Sequence, residues 1–191
     1  MGIGQSGLVL ATLLTVLGTA VKGSARPAAV FLPHLEQIRT GIPHSFVMRL
    51  PAEILLGGSG DLHPNDLIIK VLPTTAPPRL TIGLFTCESG PYPCLVGSFV
   101  AEPAASTSAQ HELDRHQAMN LPITLASGIR GYLREGPKLT PASEFSSVMW
   151  EQNDMIYTVN FLAAERQNIL YMARSMATEP PIFSLQTATS E

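Results

Sequence analysis

Cys87 and Cys94 enclose the hexapeptide ESGPYP. Gly90, Pro91 and Pro93 oblige that stretch to turn, since glycine permits backbone that other residues avoid and proline cannot continue a ladder. Apolar runs flank it, LTIGLF before Cys87 and LVGSFV after Cys94. Two such runs joined by a turn predict a β-hairpin, whose arms must lie side by side in an antiparallel sheet. If the two sulfurs bond, they clamp the base of the loop, and closing so small a ring contributes about 2–3 kcal/mol through the unfolded chain. Two reduced core thiols are the alternative. A metal would need more ligands than two, and neither His nor a further Cys lies nearby; nor is C-x6-C the C-x-x-C of a disulfide oxidoreductase.

The rest of the chain extends this sheet. DLIIKVL (66–72) is a strand candidate ahead of LTIGLFTC (80–87) and CLVGSFVAE (94–102), with PTTAPP as a Pro-rich connection. FVMRLPAEIL reads as a strand stopped by Pro51, and LGGSGDLHPND as a loop. STSAQHELDRHQAMN offers Ser and Thr caps and good helix formers, predicting a short helix. Strands resume with PITLA and IRGYLRE, then FSSVMW and MIYTVNF face each other across EQND. In AAERQNILYMARSMA and the residue before it, Leu162, Ile169, Ala173 and Met176 fall on one helical stripe, while Glu165, Arg166 and Arg174 point elsewhere. The predicted class is α+β, an antiparallel β-sheet packed by a C-terminal amphipathic helix and one shorter helix. At 191 residues there is room for one core. The expected organisation is an extended opening segment over 26–44, in which FLPHLEQI can make one helical turn or two before Gly41, a single α+β domain over 45–178 and a flexible tail over 179–191.

Residues 1–25 read as a signal peptide. From Gly7 to Val21 the chain carries no charge, which is short of the about 20 apolar residues that span a bilayer but suits the apolar region of an export signal. Cleavage is expected after Ala25, just before Pro27, with Ala20 as the other site and a retained anchor as the alternative. The domain would then be secreted, into the periplasm, the outside medium or a thylakoid lumen, with no transmembrane span left after cleavage. Charged residues are 14% of the chain, and 12 Lys and Arg stand singly against 15 Asp and Glu. Without a basic stripe, nucleic acid is not expected as a partner.

No cofactor fingerprint stands out: there is no P-loop, dinucleotide motif or triad order. His111-Glu112-Leu113-Asp114-Arg115-His116 invites comparison with a zinc-protease helix, but its histidines are five apart rather than four. At about 100° per residue that separates them by about 140°, so both cannot reach one metal from a regular helix. His111 and His116 are expected to be solvated, with a weak metal site as the alternative. Ser59, in GGSG, does not fit the nucleophile elbow, and Asp61 and Asp66 lack calcium-loop spacing. Trp150 and Tyr157 sit near the ends of the last hairpin and Tyr132 on the strand before it. They are expected to pack as cross-strand core pairs. The alternative is a cleft of Arg130, Tyr132, Trp150 and Tyr157, with ligand stacked on the rings and Arg130 facing an anion.

Taken in order, GIPHSFVMRLPAEIL, CESGPYPCLVGSF, ITLASGIRGYL, VMWEQNDMIYTVNF and ILYMARSMA resemble a family of small exported cyanobacterial proteins, over roughly residues 41–177. GPKLTPASEFSS lacks the second Cys pair common in that family, and Asn153-Asp154 replaces its usual turn glycine. The resemblance implies an antiparallel sheet with a helix packed on it and brings no established activity. The closing strand and helix are similar in topology to exported photosystem-accessory domains of the PsbP type. The expected function is a non-enzymatic binding or structural module of the periplasm or envelope, with an unidentified protein partner and no cofactor. A lumenal or periplasmic accessory to a membrane complex comes second, and a metal- or small-molecule-binding protein third. A hydrolase comes last, since it would require a close triad or carboxylate pair in a cleft.

Overall fold

The computed structural model describes residues 26–41, 46–57, 62–89 and 94–182. The expected signal peptide, Ser59, Asp61 and most of the expected tail therefore lie outside the described residues.

Seven strands form one antiparallel sheet: β1 (Ile68–Thr75), β2 (Pro78–Phe85), β3 (Leu95–Pro103), β4 (Pro122–Ala126), β5 (Ile129–Arg134), β6 (Phe145–Gln152) and β7 (Met155–Leu162). Their order is β1-β2-β3-β7-β6-β5-β4. The chain meanders through β1 to β3, crosses to the far edge through α2 (Thr107–Ala118), and meanders back so that β7 pairs with β3. A disulfide joins Cys87 to Cys94 just beyond β2 and just before β3, with Cα atoms 5.6 Å apart, a separation that suits the clamped loop. Thr86 N–H donates to the Cys94 carbonyl at 2.9 Å and closes the same end of the hairpin. At the last hairpin the loop shrinks to Asn153 and Asp154, both left-handed (φ 52° and 59°), the backbone that a two-residue connection requires.

Register places every second residue on one face. Val71, Ile82, Phe99, Val159, Val148 and Leu133 stand opposite one another in a continuous row across six strands, all buried. This inner face is the core. Helix α3 (Arg166–Thr178) packs on it against β4, β6 and β7, burying Ile169, Met172, Ala173, Met176 and Ala177. Phe31, from the 3-10 helix Ala29–His34, packs edge-on against Phe99, and Phe99 against Phe161.

Two segments differ from expectation. Residues 26–44 are more helical where described than an extended segment with a turn or two in FLPHLEQI: the 3-10 helix runs straight into α1 (Leu35–Gly41), and Phe31 and Ile38, seven apart, share its buried side. Pro33 lies ahead of α1 and leaves that helix intact. FVMRLPAEIL joins no ladder of the sheet. It is a strap over the core that buries Phe46, Met48, Leu50 and Ile54. Its backbone finds other partners: Met48 C=O accepts from Ile182 N–H, Pro51 C=O from Ala28 N–H, and Ala52 N–H donates to Ser175 Oγ, each at 2.9 Å. Strands β1 and β2 also reach into PTTAPP, because β1 is an edge strand, where Pro73 is tolerated. Among the described residues no helix is long and apolar enough to cross a membrane.

Candidate functional site: a polar cleft on the outer face

The opposite face of the same strands is built differently. One register step from the apolar row, Ser98, Asn160, Ser147 and Arg134 stand opposite one another across β3, β7, β6 and β5. Helix α2, capped by Ser106, whose Oγ accepts from Ala109 N–H, covers part of this face. It lays Ala109 and Leu113 on Met149 and Ile156. Beyond it, between α2 and the loop 139–143, a cleft of about 580 Å³ remains, within the usual range for small-molecule sites. Ser98, Val100, Ser147, Met149, Thr158 and Asn160 contribute to its lining from the strands.

His116 is only 2% exposed and tethers α2 to the sheet. Its Nδ1 is 2.8 Å from the Glu112 carbonyl oxygen and its Nε2 2.7 Å from Ser147 Oγ. A carbonyl can only accept, so Nδ1 carries the proton, Nε2 is the acceptor, and the Ser147 hydroxyl donates to it. Burial lowers the imidazole pKa below its ordinary 6.5, which favours this neutral form. The Glu112 carboxylate lies 3.6 Å from Nδ1 and accepts from Arg134 at 2.6 Å. At the other end of the cleft Glu102, 2% exposed, accepts from Arg79 through Oε2 at 3.0 Å, while its Oε1 has no partner among the described residues. Ser98, Thr158 and Asn160 likewise make no side-chain hydrogen bond there. Two arginines, two glutamates and a neutral imidazole leave the cleft without net charge.

The four aromatic-cleft residues fall into two pairs on opposite faces of the sheet rather than into one cleft. Trp150 and Tyr157 face the core, stacked with centroids 5.4 Å apart, and Tyr157 donates to the Val47 carbonyl at 2.6 Å. Burial pushes the Tyr157 pKa up to about 12. Arg130 and Tyr132 line one shallow depression with Thr124 and Gly128 on the outer face, Arg130 exposed and Tyr132 half-buried against the α2 contact. His111 is exposed as expected, but His116 is not solvated: position 116 follows Ala109 and Leu113 on the side of α2 that meets the sheet. Among the described residues no group of three or more His, Cys, Asp and Glu could hold a metal. Asp66 is exposed at the end of a 3-10 turn. Sequence reading missed Ser98, Glu102, Ser147 and Asn160. Their signal was a second face of mixed character in GSFVAE, FSSVMW and MIYTVNF, where Ser98 and Glu102 flank Val100, Ser147 precedes Met149, and Thr158 and Asn160 follow Ile156 at alternate positions.

No protein-family model, no curated protein and no solved structure matches the chain. Its class rests on the fold and the cleft: an α+β domain with one antiparallel sheet, a sealed apolar face and a hollowed polar one.

Proposed function

We propose that the protein is an exported binding module whose site is the outer-face cleft, and that it takes a small uncharged ligand rich in hydroxyl groups, such as a short saccharide. The observation that carries this reading is the uncommitted polar floor. Ser98, Thr158 and Asn160 offer donors and acceptors together. Thr158 and Asn160 are half-buried and open to the cleft, so their donors and acceptors are spent on no other side chain and can exchange water for the hydroxyl groups of a ligand. The balanced Arg–Glu pairs disfavour a strongly charged ligand, while Phe145 and Met149 supply apolar surface for sugar C–H groups. Export is supported by the uncharged Gly7–Val21 stretch and by the disulfide, which persists in oxidising compartments.

Calorimetric titration with sucrose, trehalose and methyl glucoside tests the reading, with phosphate and spermidine as charged controls. At least one neutral ligand should bind at about 1 mM or tighter, near −4.1 kcal/mol. Asn160→Leu should abolish that binding while the fold persists. Binding of phosphate alone, or neutral binding that survives Asn160→Leu, overturns it.

A further inference from the structure

The Ser147–His116 pair has a chemistry that binding does not use. Ser147 Oγ is 2.7 Å from Nε2, within general-base reach, and the Nδ1 bond to the Glu112 carbonyl holds the tautomer that leaves Nε2 free to take a proton. Both residues line the cleft. Asn160 and Arg134 are the direct register partners of Ser147 on the two neighbouring strands. Directly opposed residues place their Cβ atoms about 4.5–5.5 Å apart, so Asn160 and Arg134 stand on either side of Ser147 on the same face, with Arg134 Nη1 engaged by Glu112 at 2.6 Å and its other N–H groups left to a ligand. Side-chain donors of this kind can hold an oxyanion.

We propose that Ser147 is the nucleophile of an acyl-transfer site, with His116 as its base and Asn160 and Arg134 as its oxyanion donors, acting on small O-acyl esters of polyhydroxylated alcohols. Ser147 Oγ forms a bond to the ester carbonyl carbon as its proton passes to His116 Nε2. The carbonyl oxygen becomes the oxyanion between Asn160 and Arg134. Collapse breaks the bond to the alcohol oxygen, which leaves with the proton from Nε2, and Ser147 retains the acyl group. Water then attacks the acyl carbon, giving its proton to Nε2, and Ser147 Oγ departs with that proton as the free acid is released. Glu112 and Arg134 are the charged groups facing the imidazole, and Arg134 keeps the Glu112 carboxylate engaged at 2.6 Å. The choice of alcohol rests on the binding reading above; the nucleophile does not.

The test exposes the full chain to an alkyl fluorophosphonate and follows adducts by intact mass and peptide mapping. Ser147 should be the modified residue, and Ser147→Ala should leave its peptide unmodified. His116→Gln should slow modification at least about 100-fold, and Asn160→Leu about 100-fold. His116 is buried, so the wild-type rate profile supplies a second reading that needs no variant. The rate should be flat at neutral pH and fall on acidification with an inflection below 6.5, tracking the imidazole. No adduct at Ser147, or a rate that climbs with hydroxide and ignores His116, overturns the proposal and leaves His116 a tether. Sucrose or trehalose should slow modification. Modification without that protection refutes the polyhydroxylated alcohol alone, and sugar binding without modification refutes the nucleophile alone.

Discussion

His116 is held through both ring nitrogens, and the consequence of that position emerges when the ring takes a second proton. Burial lowers its pKa in the fold below the ordinary 6.5, so the unfolded chain binds the proton more readily. The stability this neutral ring contributes is fully present above about pH 6.5 and is lost as pH falls through the lower folded value. Melting temperatures followed from about pH 8 to about pH 5 should fall in that window, with a shallower slope in His116→Gln. An identical slope in the variant would assign the loss to other groups. Gly136 is the second exacting position. A Cβ there would lie 1.9 Å from Phe145 O and 2.5 Å from Ser143 O, both backbone atoms that begin and end the bend forming one wall of the cleft. Gly136→Ala should cost about 3 kcal/mol or more in urea unfolding. A loss under about 1 kcal/mol would mean that the bend adjusts freely. Neither position declared itself in the sequence: His116 looked solvated like His111, and nothing in GPKLTPASEFSS marks Gly136 as a place of close approach. Each role depends on a strand more than eight residues away in the chain.

Local pattern served the elements better than the site. Alternation and turn residues located the strands of the sheet, because β-hairpins are decided by neighbours in sequence. The C-terminal helix was legible from Ile169, Ala173 and Met176, although Leu162 belongs to β7. The strap over 46–57 was misread for a physical reason. Phe46, Met48 and Leu50 alternate as a strand does, but alternation reports which side is buried and says nothing about ladder partners. In the first helix the Phe31–Ile38 relation was masked by Pro33, which punctuates the sequence without interrupting α1. The hairpin of β2 and β3 carries its own prediction. Reducing Cys87–Cys94 should lower unfolding stability by about 2–3 kcal/mol, visible as a lower urea midpoint with reductant. An unchanged midpoint would show that the ladder and the Thr86–Cys94 backbone bond hold that end unaided.

At the scale of the whole molecule the two faces of one sheet have been put to different uses. The inner face is closed by α1, α3 and the strap, and its composition follows from burial alone. The outer face carries Ser98, Thr158 and Asn160 beyond the edge of α2, beside the apolar patch around Met149. A concavity whose polar side chains are committed to no other residue is open to a ligand, which is the physical basis for assigning the cleft a function. Only the alternation was visible in the sequence, since the concavity arises from where α2 and the loop 139–143 stop short of one another.

The most direct measurement is the thermal stability of Ser98→Ala, Thr158→Val and Asn160→Leu combined in one chain. If the polar floor serves a ligand, the triple variant should fold with the melting temperature raised by about 2–4 °C, near 1 kcal/mol, and should no longer bind the neutral ligand. A lower melting temperature would show that these side chains hold the fold together, and would contradict the account of the cleft as its working site.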